Sequence, residues 1–437
     1  MKMTGYYLLS QTLSVAMLES SIVITISGVE PTYPYFFNFL QKHGIIVRSG
    51  VAVTRKACVD AVRHGRNARK KSTQPHKGKG VLTMELTSRE RFIRTFKHQE
   101  IDRIVMLDSP WAGTLARWYN EGLPAGVAWE DYFGFDRRIS LSIDNSPRFE
   151  TKVLEETDRY VIHTTSWGAT LKSFKHLDST PEFLDFFISD PEHWEIAKAR
   201  MTPSDDRINW KWVDDTYNAA RAAGEYVDLA FWFGFDVTHS WATGTETVLI
   251  GMYEDPEWIT DMFEHYLNMN IALAEKLLAK GYKFDGIHWP DDMGYKNSTF
   301  FSLDMYRELL KPFQKKACDW AHEHGMFVEL HSCGYVEPFI PDLIEIGVDC
   351  LNPIEVKAGM DPIRIKQTYG DKLALRGGVN AVLWPDKEAI LAELERVIPA
   401  LKENSGYFFA SDHSIPNSVS FENFKAISDR IHELGRY

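Results

Sequence analysis

"MFVELHSCGYVEPFIPDLIEIGVDCLNP", residues 326–353, contains one complete unit of an architecture. MFVELH (326–331) is a short apolar run that reads as a strand. VEPFIPDLIEIG (336–347) has helical spacing and stops on a glycine, and VDCLNP (348–353) returns to strand. A strand, a helix and a second strand joined by short loops form a βα unit with parallel strands. His331 and Cys333 stand where the first strand gives way to its loop. A chain with only four cysteines has placed one of them two positions from a histidine.

The same rhythm continues on both sides. RIVMLD (103–108), VDLAFWFG (227–234), FDGIHW (284–289), LALRGG (373–378) and YFFAS (407–411) read as further strands. Helical patterns occupy 255–280, 302–325, 361–370 and 386–404. Five consecutive units with more strands upstream predict an α/β protein, a closed (β/α)8 TIM barrel rather than an open doubly wound sheet. No G-x-G-x-x-G follows any of these strands, so nothing points to a dinucleotide fold. Residues 109–226 are less regular and rich in tryptophan and acidic groups, and are expected to hold insertions above the barrel.

The 437 residues are 44% hydrophobic and 25% charged, which is ordinary for a globular protein. Cys58, Cys318, Cys333 and Cys350 form no dense disulfide framework, so a reducing cytoplasmic setting is the expectation. Cys318 and Cys350 fall inside a helix and a strand and read as buried small hydrophobes. The net charge of −12 is uneven: residues 1–83 carry 12 Lys/Arg and 3 Asp/Glu, a balance of +9, against −21 for the remainder. Such an acidic body repels nucleic acid, and the basic stretch 55–80 lacks the aromatic residues of a strand-binding arm. SSIVITISGV (20–29) is too short to span a bilayer. Residues 1–83 therefore read as an extension, disordered or upstream of the true start, and 84–437 as the barrel. Thr87 or Ser88 is expected to cap the first helix of that barrel.

In such barrels the reactive groups sit at the carboxyl ends of strands. Read that way, Asp108 follows the first strand and Asp291 and Asp292 follow FDGIHW. Asn352 and Glu355 follow VDCLNP, Asn380 follows LALRGG, and Asp412 and His413 follow YFFAS. Asp108, Asp291 and Asp292 are candidates for proton transfer, although an Asp pair ahead of Gly294 also fits plain turn chemistry. His331 and Cys333 have the donor types that zinc takes in a tetrahedron, and His413 is the candidate for a third ligand. Glu329 or an aspartate is a candidate to complete the shell.

TSRERFIRTFKHQEIDRIV, DPEWITDMF, SLDMYRELLKPFQKK, HSCG, VDCLNPIE, YGDKLALRGGVN and HSIPNSVSFENFKAI together resemble the uroporphyrinogen decarboxylase superfamily, in order from about residue 84 to 437. The resemblance implies a TIM barrel and two possible activities. Its decarboxylases need no cofactor and hold substrate carboxylates with an Arg-Gln-Ala-Gly-Arg stretch. The corresponding DSPWAGTLARW (108–118) offers only Arg117 as a candidate for substrate binding, beside Asn352, Glu355 and Asn380. The other branch comprises zinc-dependent methyltransferases that move methyl groups between a small corrinoid protein and a thiol or another one-carbon acceptor. Their zinc ligands are a His-x-Cys pair, matched by His331 and Cys333, and a later Cys, where this chain has His413. The resemblance thus implies a zinc methyltransferase with a corrinoid or other one-carbon carrier as partner. A uroporphyrinogen decarboxylase is the alternative, and a non-catalytic corrinoid- or metal-binding module a third reading.

Overall fold

The computed structural model describes residues 13–18, 21–26, 85–176 and 180–437. Strands β1 (Leu13–Leu18) and β2 (Ser21–Ile26) pair antiparallel. The remaining expectations for 1–83 lie outside the described residues. From Glu85 onward the chain builds one parallel sheet from β3 (Val105–Met106), β4 (Arg138–Ser142), β9 (Tyr226–Ala230), β10 (Gly286–Pro290), β11 (Phe327–His331), β12 (Cys350–Asn352), β13 (Ala374–Arg376) and β14 (Tyr407–Phe409). Their order, β3-β14-β13-β12-β11-β10-β9-β4, follows the chain except that β3 joins at the far side of β14. That order is what a sheet curling back on itself requires. The ladder stops between β3 and β4, and Asp136 spans the gap. Its N–H donates to Met106 O at 2.9 Å, while its Oδ2 accepts the N–H of Met106 at 2.9 Å. Arg91 and Arg103 hold the same carboxylate at 2.5 and 2.6 Å.

Seven of these strands lie where the pattern placed them; β4 does not. RISLS alternates, but its polar Arg138 faces the inside of the curled sheet, where it pairs with Asp228 on β9 and Glu329 on β11. An alternating strand with its charged side inward gives a sequence reader the wrong face. The expected insertion is the antiparallel sheet β5 (Val153–Glu156), β6 (Tyr160–Thr164), β7 (Ala169–Phe174) and β8 (Glu182–Phe186). Phe183 of β8 meets Trp241 edge-on at 6.3 Å, on the loop that leaves β9.

The outer helices form for ordinary reasons. Helix Pro256–Ala279 is capped by Asp255, whose side chain accepts the N–H of Trp258, and starts on a proline. It buries Ile259, Met262, Phe263, Tyr266, Leu267, Leu273 and Leu277 along one stripe. The single helix expected over 302–325 is two, Leu303–Leu309 and Lys311–Glu323. Pro312 has no N–H for the carbonyl four residues back, which breaks the run.

Helix Ser88–Phe96 decides which end of the sheet is open. Thr87 caps it in a capping box with Glu90. Its Phe92 and Phe96 pack on Tyr226, Phe327 and Phe408, with Val105, Cys350 and Ala374 completing the cluster. Phe96 stacks on Phe327 with centroids 4.6 Å apart, and Phe92 on Tyr226 at 4.6 Å. These residues stand at the amino ends of the strands, so that end is sealed by aromatic packing. Cys318 and Cys350 are fully buried, as read from their surroundings. No described helix is long and apolar enough to cross a membrane.

Candidate metal centre

Side chains two apart on a strand share a face. Above Tyr226 on that inner face comes Asp228, above Phe327 come Glu329 and then His331, above Cys350 comes Asn352, and above Ala374 comes Arg376. The middle layer is therefore charged. Arg138 bonds Asp228 at 2.5 Å and Glu329 at 2.7 Å, and Arg376 bonds Glu329 at 2.8 Å. Two arginines thus offset two buried carboxylates. Burial pushes the Asp228 carboxyl up, but Arg138 outweighs it and holds it down at about 2. Glu329, a candidate from the sequence, is thereby paired with two arginines and lies outside the gathered group described next.

The top layer holds the only group of metal-capable side chains among the described residues whose ligand atoms gather: Asp292, His331 and Cys333, all within 4.8 Å of one another. Cys333 Sγ lies 3.3 Å from His331 Nε2, and that nitrogen 3.8 Å from Asp292 Oδ1. Ligands of a tetrahedral zinc stand about 3.3–3.8 Å apart, given bonds of 2.0–2.3 Å. The donor set fits a divalent metal.

The loops that carry these groups are locked together. Asp292 Oδ1 accepts the N–H of Cys333 at 2.7 Å. Glu355 Oε2 accepts the N–H of Gly334 at 2.5 Å, and its other oxygen pairs with Lys357 at 3.1 Å. Gly334, at φ 83°, lies so close to Gly294 that a Cβ there would come within 2.3 Å of its carbonyl carbon. Only two glycines let the β10 and β11 loops approach this closely.

Sequence reasoning passed over one group here. Asp236, in the loop after β9, is 8% exposed and accepts Ser240 Oγ–H at 3.0 Å. Burial, then Asp292 and Asp291, push its carboxyl up to about 8. The rule that selected Asp108 and Asp291 applies equally to FGFDVTHS, which follows a correctly placed strand. Burial, with Asp292 and Glu355 nearby, likewise pushes the Cys333 thiol well up. A site with surplus negative charge and a thiol that resists ionisation is one that a bound cation would balance.

The other candidates are distributed more widely. Asp291 is fully buried and accepts the N–H of Asp236 at 2.9 Å and Gln314 Nε2–H at 2.8 Å, so it organises loops beneath the site. Burial pushes its carboxyl up to about 7. Asp108 accepts Ser411 Oγ–H at 2.7 Å and the N–H of Ser109 at 2.8 Å, and burial raises it to about 6. Asn380 caps the turn Ala381–Leu383 through the N–H of Val382. Arg117, on helix Ala112–Glu121, pairs with Glu121 at 2.6 Å and donates to Asn417 O at 2.7 Å. Only the bond to Asn417 joins the helix to the C-terminal loop; the others are local to the helix and to the turn after β13. His413 is exposed and does not join the gathered ligand atoms. It lines a neighbouring cleft of about 280 Å³ with Trp111, Lys357 and Ser414. Asp292, and not the expected His413, is the third side chain whose ligand atom gathers with those of His331 and Cys333.

A parallel βα sheet, sealed at its amino end and carrying a metal-capable cluster at its carboxyl end, defines an α/β protein of the barrel type. The family model for uroporphyrinogen decarboxylase (URO-D) matches residues 237–434. Two curated proteins named uroporphyrinogen decarboxylase are similar to parts of this chain. The one from Vesicomyosocius okutanii is 32% identical over 74 residues, 17% of this chain and 21% of that protein. The one from Helicobacter pylori is 23% identical over 192 residues, 42% of this chain and 52% of that protein. The matches thus span about a fifth and about half of those relatives. A methyltransferase from Methanosarcina mazei shares the fold, with a TM-score of 0.56 at 16% identity, covering 80% of this chain and 99% of that one.

Proposed function

We propose that this protein is a zinc-dependent methyltransferase on a closed (β/α)8 barrel, working in the cytosol. It moves a methyl group between a small corrinoid protein, or another one-carbon carrier, and a thiol or similar acceptor. The observation that carries the reading is the gathering of Asp292, His331 and Cys333 at the open end of the sheet. Zinc held there would lower the pKa of a thiol at its open position or polarise a methyl donor or acceptor.

The chain's own residues set the conditions for that chemistry. His331 presents Nε2, Cys333 its sulfur and Asp292 a carboxylate oxygen, the last two tied together by the Cys333 N–H bond to Asp292. Asp236 stands beside them as a carboxyl that holds its proton near neutrality and is placed to give or take one. His413 and Trp111 flank the adjoining cleft, with rings 5.9 Å apart, where a substrate would lie beside a bound metal.

Decarboxylation of uroporphyrinogen is disfavoured by charge. Each substrate carboxylate buried without a partner costs several kcal/mol, on the order of 3–5, and Arg117 is spent on Glu121 and Asn417. Two measurements test the proposal. Metal analysis of the purified protein should find about one equivalent of zinc. Anaerobic incubation with uroporphyrinogen should yield no coproporphyrin after oxidation and chromatography. Enzyme-like turnover in the second assay by a metal-free protein would replace this reading with the decarboxylase.

A further inference from the structure

We propose that Arg376 is a positioning residue of the metal centre: acting through Asn352, it locks the tautomer of His331 that leaves Nε2 free to bind metal. The proposal deepens, and rests on, the metal reading of Asp292, His331 and Cys333.

The argument is one of hydrogen-bond polarity. A guanidinium has only donors. Arg376 Nη2 lies 2.9 Å from one end of the Asn352 side-chain amide, so that end is the oxygen. The other end, Nδ2, donates to the main-chain carbonyl of Arg376 itself at 3.1 Å. Both ends of the amide are therefore set by the same residue, and it cannot turn over without losing both bonds. The oxygen so fixed stands 2.5 Å from His331 Nδ1. An oxygen with no hydrogen must accept, so Nδ1 carries the proton. The lone pair of the neutral ring is then on Nε2, the atom 3.3 Å from Cys333 Sγ.

Arg376 is held in turn from below. Glu329 accepts the same Nη2 at 2.8 Å and also binds Arg138, which binds Asp228. The charged layer inside the sheet thus ends on one amide, and that amide faces the imidazole. If the guanidinium is removed, only the main-chain carbonyl of residue 376 still holds the amide, which can then turn its NH2 toward His331 more readily. Nδ1 would then accept, and the proton would move to the nitrogen that faces the metal. Outer partners of this sort are worth about 10–100-fold in metal affinity.

The tautomer is read directly by nitrogen NMR of the metal-free full chain labelled at histidine nitrogens, with the His331 signals identified by their absence in His331→Gln. Nδ1 should be the protonated, pyrrole-type nitrogen and Nε2 the bare, pyridine-type one; the reverse assignment overturns the proposal. Zinc affinity is then measured by competition with a chromophoric chelator. Arg376→Met should bind about 10–100-fold more weakly. Adding Asn352→Asp should restore most of that loss, because a carboxylate has no N–H end to present to His331. General damage to the fold would not be repaired this way. Wild-type affinity in Arg376→Met, or no recovery in a folded double variant, overturns the proposal. If either variant fails to fold, the tautomer in the wild-type chain decides. A wild-type chain that binds no zinc sinks the metal reading, and the tautomer still shows separately whether Arg376 and Asn352 set the ring.

Discussion

The two ends of the parallel sheet are built from the same strands and do opposite things. At the amino end, Phe92, Phe96, Tyr226, Phe327 and Phe408 fill the opening with packed aromatic rings. At the carboxyl end, Asp292, His331 and Cys333 gather with Asp236 and Glu355 close by, and the Asp236 carboxyl and Cys333 thiol are both pushed up. Between them lies a balanced layer of Arg138, Asp228, Glu329 and Arg376. Apolar burial stabilises the first region, whereas the second gathers groups that repel one another and would rather be in water. Stability and chemistry are thus separated along the strand axis, and substitutions at the two ends should fail in different ways.

The largest effect should be at the open end. His331→Ala or Cys333→Ala is expected to abolish zinc binding, read by metal analysis, while the unfolding midpoint of the metal-free protein stays close to wild type. Full metal occupancy in either variant would remove that residue from the ligand set. At the sealed end the pattern should invert. Phe92→Ala, at a position with no exposure, should cost about 3–5 kcal/mol in denaturant unfolding. The protein that remains folded should keep its full complement of metal. A Phe92 variant that loses zinc without losing stability would show that the two ends are not separate.

Asp108 gives an intermediate effect with a defined sign. Burial raises its carboxyl from 3.8 to about 6 in the folded chain. Between those values the unfolded chain has released a proton that the folded chain retains, so stability falls as pH rises through this window. The penalty is complete above about pH 6 and amounts to up to about 3 kcal/mol. Asp108→Asn should therefore flatten the pH dependence of stability between pH 4 and 7; an unchanged slope would show that this carboxyl is not the titrating group. The smallest effect belongs to Arg117. Its partly exposed pair with Glu121 is worth less than about 1 kcal/mol, so Arg117→Ala should shift unfolding slightly and leave metal content unchanged. Loss of metal or of substrate affinity in that variant would return Arg117 to the site.

The alternation of strand and helix from Val227 to the C terminus was legible because it rests on local spacing, and so were the strand ends that carry Asp292, His331 and Cys333. Strand β4 was not legible. Its inward Arg138 looks like a surface residue until Asp228 and Glu329, about 90 and 190 positions away, are seen facing it. Asn352 has the look of a substrate contact in sequence, because its bonds to His331 and Arg376, 21 and 24 positions away, form only across neighbouring strands. Pro312 was visible, yet the break it makes in the helix was not read from it.

By itself, the sequence determined the class of fold, the open end of the sheet and the pair His331 and Cys333, because periodicity and strand ends are properties of neighbouring residues. Only the tertiary structure decided that Asp292, rather than His413, completes the gathered set. A ligand shell is a matter of ångströms between loops, and the contact of Gly294 with Gly334 that brings those loops together is a packing event between residues 40 positions apart.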